Sequence, residues 1–231
     1  MLTTARSATI KPFLQNRLLQ ALIALYAGVW IWAAIAPINR ADWLLENLLL
    51  VAAIGFCAWI YRTRPLSDVS SLLFTVFMIF HTVGSHYTYS LVPFGDWLKE
   101  AAHLERNHYD RIIHFSFGLL LVYPIRELLL RTDVAKSRWV GTIAFMVIAT
   151  LSGFYELLEW AAAVVVDPEA GQAFLGTQGD PFDAQADHLL ACIGAAITLV
   201  VTRFAEGAAS AGQTHASREP IQSGTENIAA R

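Results

Sequence analysis

Of the 231 residues, 55% are hydrophobic and only 15% are charged, with a mean hydropathy of +0.46. A soluble domain of this length carries about a quarter charged residues, so a water-soluble globular fold is excluded. The net charge of −3 gives no signal for nucleic acid, since the charges are segregated between loops, and Cys57 and Cys192 lie inside apolar runs with no disulfide framework or CxxC metal motif.

In chain order, apolar runs cover 18–36, 43–61, 69–90, 110–130, 139–164 and 184–204. At ~1.5 Å per residue each can cross most or all of a ~30 Å hydrocarbon core. They predict an all-α, polytopic integral membrane protein built as a six-helix transmembrane bundle over 18–204. The first run follows Arg6, Lys11 and Arg17 and ends in "AIA" (34–36), as a signal peptide would. Its apolar stretch is ~19 residues rather than 7–15, and Pro37 follows the supposed cut. A retained first helix is therefore expected, preceded by a short cytoplasmic segment, 1–17. The small, polar composition of 205–231 predicts a disordered cytoplasmic tail.

An even number of spans puts both termini on one side of the membrane. On that side fall twelve Lys and Arg, against Arg40, Lys99, Arg106 and Arg111 on the other. By the positive-inside rule both termini are expected in the cytoplasm. The dense polar motifs then converge on the extracytoplasmic side: "HTVGSHYTYS" (81–90), "RNHYDRIIHF" (106–115), "YELLEW" (155–160) and "QGDPFDAQADH" (178–188). Spans one and two are expected to add almost no polar side chains.

Several of these residues resist a bland explanation. Glu156 and Glu159 share a helix face at i,i+3, about 12–16 Å below the outer surface, where an unpaired carboxylate costs at least ~2.5–3.5 kcal/mol. Asp110 and His114 share a face at i,i+4, a spacing that suits a carboxylate-oriented histidine or two ligands of one metal; Asp110 alone could also be a helix cap. Asp180 followed by Pro181 reads as a helix start, with Asp183 in the first turn. Asp187, one turn further in, has no capping role. Tyr87 and Tyr89 read as interface anchors, and "HTVGSH" is not a nucleophile elbow.

A charge count over this end sets Asp110, Glu156, Glu159, Asp183 and Asp187 against Arg106 and Arg111. The negative surplus calls for protonation, a divalent metal or a cationic ligand. Candidate metal ligands are Asp183, Asp187, His188, Glu156 and Glu159, and the nearby histidines favour Zn, Mn or Fe over Ca. Candidate catalytic residues are Asp110, His114, Glu156 and Asp187. Candidate substrate contacts are Arg106 and Arg111, suited to an anionic group such as phosphate, with His86 and Tyr87.

"HTVGSHYTYSLVPFG", "RNHYDRIIHFSFGLL", "YELLEW" and "GTQGDPFDAQADHLLACIGA" together resemble the YjdF-like family of bacterial inner-membrane proteins, over residues 15–205. More distantly, "DRIIHF", a Glu-containing helix and "GDPFDAQAD" resemble the core of VanZ-like proteins. The first resemblance implies a multi-pass protein of the bacterial inner membrane. The second implies Asp110, His114, Glu156, Asp183 and Asp187 as the characteristic polar set. Neither implies a reaction.

Three functions compete on these grounds. One is an envelope enzyme doing metal-assisted or acid–base chemistry on a lipid-linked or cell-envelope substrate. Another is an ion or small-solute binding or transport protein, which needs a polar path continuing to the cytoplasmic side. The last is a structural membrane partner subunit. The lipid bilayer is the one certain partner, and oligomeric state has no signature in the chain.

Overall fold

A computed structural model describes residues 13–132, 138–165 and 177–216. Among them are seven α-helices and no strand: α1 (Arg17–Ala34), α2 (Arg40–Thr63), α3 (Asp68–His86), the short α4 (Pro93–Ala101), α5 (Tyr109–Thr132), α6 (Val140–Val165) and α7 (Asp183–Ala216). All but α4 are long and apolar enough to span a membrane. The first three spans start on side-chain caps. Asn16 Oδ1 accepts from Leu19 N at 3.0 Å, Asn39 Oδ1 from Ala41 N at 2.9 Å, and Ser67 Oγ from Ser70 N at 3.2 Å.

The bundle is organised around α5, which packs against α3, α6 and α7, while α1 and α2 lean on α3 from outside. Bilayer tails are as apolar as leucine, so close packing rather than hydrophobicity holds such helices together. The α5–α7 crossing shows how. A Cβ on Gly118 would collide with the carbonyl oxygen of Ala191, and one on Gly194 with that of Phe115. Glycine at both positions lets the two backbones touch. Thr198 Oγ1 adds a hydrogen bond of 2.6 Å to the Leu119 carbonyl across the same seam. Ala191 and Ala195 then pack with Leu121, Val122, Ala144 and Ile148 as the apolar core. Outside the core, large side chains such as Leu48, Trp59, Leu157 and Val201 face outward, as a lipid-facing surface requires.

Polar contacts define the two ends of the bundle. At one end Asn16 Nδ2 donates to Asp68 Oδ1 at 3.2 Å, and Arg126 pairs with Glu206 at 2.8 Å. There Glu127 also accepts from Ser67 N at 2.9 Å and Ser67 Oγ at 2.8 Å, and from Ser70 Oγ and Arg131. The start of α1 and the far part of α7 thus share this end. The opposite end carries α4 and the motifs singled out above.

Three boundaries depart from the sequence reading. The third span stops at His86 rather than 90, because Thr88 and Tyr89 adopt φ of 53° and 52° and fold the chain back. The last helix begins at Asp183, not at Pro181. Asp180 Oδ1 accepts from Phe182 N at 2.9 Å, closing an Asx turn in place of a helix cap, and Ala186 N bonds to the Phe182 carbonyl. α7 also continues through Ala216, where disorder was expected from 205; the Ala-rich stretch "AEGAASAG" has the propensity to extend it. Residues 1–12, most of the 166–183 connection and 217–231 lie outside the described residues.

Candidate functional site

Arg106 precedes α5 and Arg111 lies in its first turn, and both point to the start of α7. Arg106 pairs with Asp183 and lies 3.7 Å from Asp180, and one of its Nη atoms also donates to the Thr177 carbonyl at 3.1 Å. Arg111 pairs with Asp180 and reaches Asp183 at 3.3 Å. Two guanidinium groups and two carboxylates thus form one electrostatic knot. The Phe182 N–H, followed by Arg111, holds the Asp180 carboxyl below the usual range. Both arginines are engaged by protein carboxylates here, and Asp183 faces them.

Asp187, one turn deeper on the same face of α7, meets a different set of groups. One donor atom each from Asp110, His114 and Asp187 lies within 4.8 Å of the others. His114 Nε2 is 3.7 Å from Asp110 Oδ1, and its Nδ1 is 3.4 Å from Glu156 Oε1. Asp187 is 2% exposed, yet its Oδ1 has no hydrogen-bond partner, and neither does Glu156 Oε1. A buried acceptor left unmade costs about 1–3 kcal/mol, more when charged. The cluster is therefore incomplete as a hydrogen-bonded network. Glu156 and Glu159 line, with Asp110, Asp183 and Asp187, a cavity of about 370 Å³ rimmed by the 177–182 turn.

The remaining candidates sit elsewhere. His188 turns its Nε2 to Cys192 Sγ at 3.8 Å and lies against Gly153, outside the three-residue group. His86 Nδ1 contacts the Ala33 carbonyl at 2.9 Å and stacks on Trp32, with Tyr87 packed edge-on beside it. Those two residues tie the end of α3 to α1 and do not line the cavity.

One buried carboxylate overturns the expectation that spans one and two are nearly free of polar side chains. Glu46 of α2 is 5% exposed and accepts from Tyr155 OH at 3.1 and 2.9 Å. The Tyr89 hydroxyl is shared between His81 Nδ1 at 2.7 Å and Glu46 Oε2 at 3.5 Å. Burial raises the Tyr89 phenol well above its ordinary range, so its proton stays in place. The left-handed turn at Thr88 and Tyr89 is what returns this ring into the bundle. The Tyr155 ring in turn stands edge-on to the His114 imidazole, with centroids 5.7 Å apart. Glu46 thus holds the Tyr155 ring that stands against His114. The signal was present in the sequence, as an ionisable residue inside an apolar span marks a functional position by default.

With this geometry in place, comparison with known proteins fixes the family. Residues 18–207 match the family described as "Predicted membrane protein (DUF2238)". The chain belongs to this DUF2238 family. It is 34% identical over 200 residues to the protein named inner membrane protein YjdF of Escherichia coli (strain K12), covering 85% of this chain and 92% of that one. No solved structure matches it. This DUF2238 protein is accordingly a multi-pass protein of the inner membrane, and the acidic and histidine cluster lies within the matched segment.

Proposed function

We propose that this protein is a metal-dependent membrane enzyme, in which Asp110, His114 and Asp187 hold one divalent cation at the inner end of the cavity. The observation that carries this reading is the Asp187 carboxylate, buried and unpartnered at Oδ1, within 4.8 Å of two further ligand atoms. Three protein ligands, of which Asp110 and Asp187 line an open cavity, fit a catalytic rather than a structural metal, since positions remain for water and substrate. Two carboxylates and an imidazole suit Zn, Mn or Fe. With His114 Nε2 turned to Asp110, its Nδ1 faces Glu156, the carboxylate–histidine arrangement that orients a ligating ring.

The cation would supply Lewis acidity and lower the pKa of a bound water. The Glu156–Glu159 pair on the cavity wall would accept that proton. The substrate class we infer is a lipid-linked or cell-envelope molecule met on the extracytoplasmic side, where the Lys and Arg distribution places this end of the bundle. The engagement of Arg106 and Arg111 by Asp180 and Asp183 shifts the task of holding an anionic group to the metal.

The test is metal analysis of the purified protein. About one equivalent of a transition metal, with thermal stability lost in chelator and neither seen in Asp187→Asn, is expected. Less than about 0.2 equivalents of any divalent metal, with stability unchanged in chelator, overturns the reading.

A second reading is favoured by the walls of the cavity, where Asp110, Glu156, Glu159 and Asp187 surround one space. A cationic solute would also satisfy them, in binding or in transport. Uptake into proteoliposomes that vanishes with Glu156→Gln, in protein that carries no metal, would support it.

A further inference from the structure

Among the described residues α4 is the one α-helix too short to span, and it lies in the connection between spans α3 and α5. At 100° per residue its nine residues sort into separate strips. Gly95 is buried against the Asn107 side chain, so this strip faces the protein. Phe94, Trp97, Leu98 and Ala101 fall to one side of it, and Asp96, Lys99 and Glu100 to the other. Phe94 and Trp97 are 52% and 61% exposed, and their rings stack with centroids 5.7 Å apart. A helix that shows apolar residues on one flank and charges on the opposite flank, while its third side rests on the bundle, suits the plane between lipid and water.

α4 is also wired to the cavity. Asn107 Nδ2 donates to Asp96 Oδ1 at 2.9 Å and to the Val92 carbonyl at 3.1 Å, so it holds both α4 and the residue before it. The Asn107 backbone exchanges two bonds with the Gln178 amide, N to Oε1 at 3.0 Å and Nε2 to O at 2.9 Å. Gln178 belongs to the turn that carries Thr177, Gly179 and Asp180 on the cavity rim. Arg106, next to Asn107, grips the same turn through the Thr177 carbonyl.

We propose that α4 is an interfacial anchor whose Phe94–Trp97 flank docks on the lipid surface. Through Asn107 and Gln178 it holds the cavity rim at headgroup level, so the cavity meets its ligand in the headgroup layer. Asp96 and Glu100 outnumber Lys99, so the docking rests on aromatic and apolar contact and needs no anionic lipid. The proposal concerns the cavity of the preceding reading but not the cation, and the depth measurement below is made on metal-free protein, so either can fail alone.

The experiment uses the full chain with Cys57→Ala and Cys192→Ala, reconstituted in phosphatidylcholine vesicles, with one nitroxide label at a time. Positions are Phe94→Cys, Trp97→Cys, Glu100→Cys and the rim substitution Phe182→Cys. Because the label replaces the aromatic ring at two of them, Ala101→Cys reads the same flank with Phe94 and Trp97 intact. Labels at 94, 97 and 101 should relax more with oxygen than with a water-soluble nickel chelate and lie about 5–10 Å below the phosphates. The label at 100 should show the reverse preference, and the one at 182 should report headgroup depth. Addition of phosphatidylglycerol should change none of these depths. Nickel access at 94, 97 and 101 equal to that at 100, or shielding of those labels from both agents by a protein partner, overturns the docking. A label at 182 in bulk water overturns the placement of the cavity.

Discussion

Asp187 is the residue at which electrostatics and packing disagree most. Its side chain is almost fully buried, its neighbours include Asp110, and Oδ1 lacks a partner. Removing the charge should relieve the metal-free protein while removing the ligand. Asp187→Asn is therefore expected to keep or raise the melting temperature in chelator, by roughly 2–4 °C per kcal/mol regained. It should also abolish the stabilisation given by added Zn or Mn, which thermal unfolding in detergent with and without metal will show. Glu46 makes the opposite case, because its carboxylate is satisfied. Glu46→Ala leaves the Tyr155 hydroxyl without its acceptor, at about 1–3 kcal/mol for the buried group orphaned, while the Tyr89 hydroxyl keeps His81 Nδ1 at 2.7 Å. Glu46→Gln retains an acceptor oxygen and should cost less than half as much in the same melting assay. The contrast bears on what could be read beforehand. Asp187 stood out because no cap needs a carboxylate one turn inside a helix. Glu46 did not, because its partner Tyr155 is 109 positions away along the chain.

At the scale of elements, helix identity followed from apolar runs and caps, whereas the contacts between helices did not. The spans show through because an apolar run of that length has few other stable states in a bilayer. Which of the glycines would sit at a helix crossing depends on rotation about each helix axis, and all-round apolar helices give little periodicity to fix it. Gly118 and Gly194 occupy the α5–α7 seam, so Gly118→Val or Gly194→Val should destabilise by at least the ~1–3 kcal/mol typical of overpacking. Gly141→Ala is the control, since a Cβ there would meet only Leu199, at 3.8 Å, and should be near neutral. Unfolding in denaturant or heat distinguishes the two outcomes. The start of α7 illustrates the same limit. "GDPFD" reads as a capped helix start, but Arg111 draws the Asp180 carboxylate into an ion pair and the turn closes on Phe182.

For the whole molecule, the ends of the bundle carry separate predictions. The start of α1 and the far part of α7 share one end, and the positive-inside rule predicts that end to be cytoplasmic. Tags placed at the two termini are expected to be protease-sensitive only from the cytoplasmic face of membrane vesicles; sensitivity of either tag from the periplasmic face would reverse the orientation and with it the side of the site. At the site end, acid should loosen the knot around the cavity rim. The lowered folded-state pKa of Asp180 means that its pairing stabilises the protein above the ordinary carboxylate pKa and that this contribution disappears as pH falls through the lowered value. Asp180→Asn should thus melt slightly lower at neutral pH and lose less stability on acidification, measurable as a shallower acid limb.

The sequence by itself determined the class, the spans, the family resemblance and the gathering of carboxylates and histidines at one end, because hydropathy and charge are local properties that the bilayer reads directly. Only the tertiary structure decided their partners. It gave Asp183 and Asp180 to the two arginines, set Asp110, His114 and Asp187 around one point, turned His188 and His86 elsewhere, and brought Glu46 in behind Tyr155. Those assignments depend on how each helix is rotated and how closely its backbone approaches the next, which side-chain volumes far apart in the chain settle jointly.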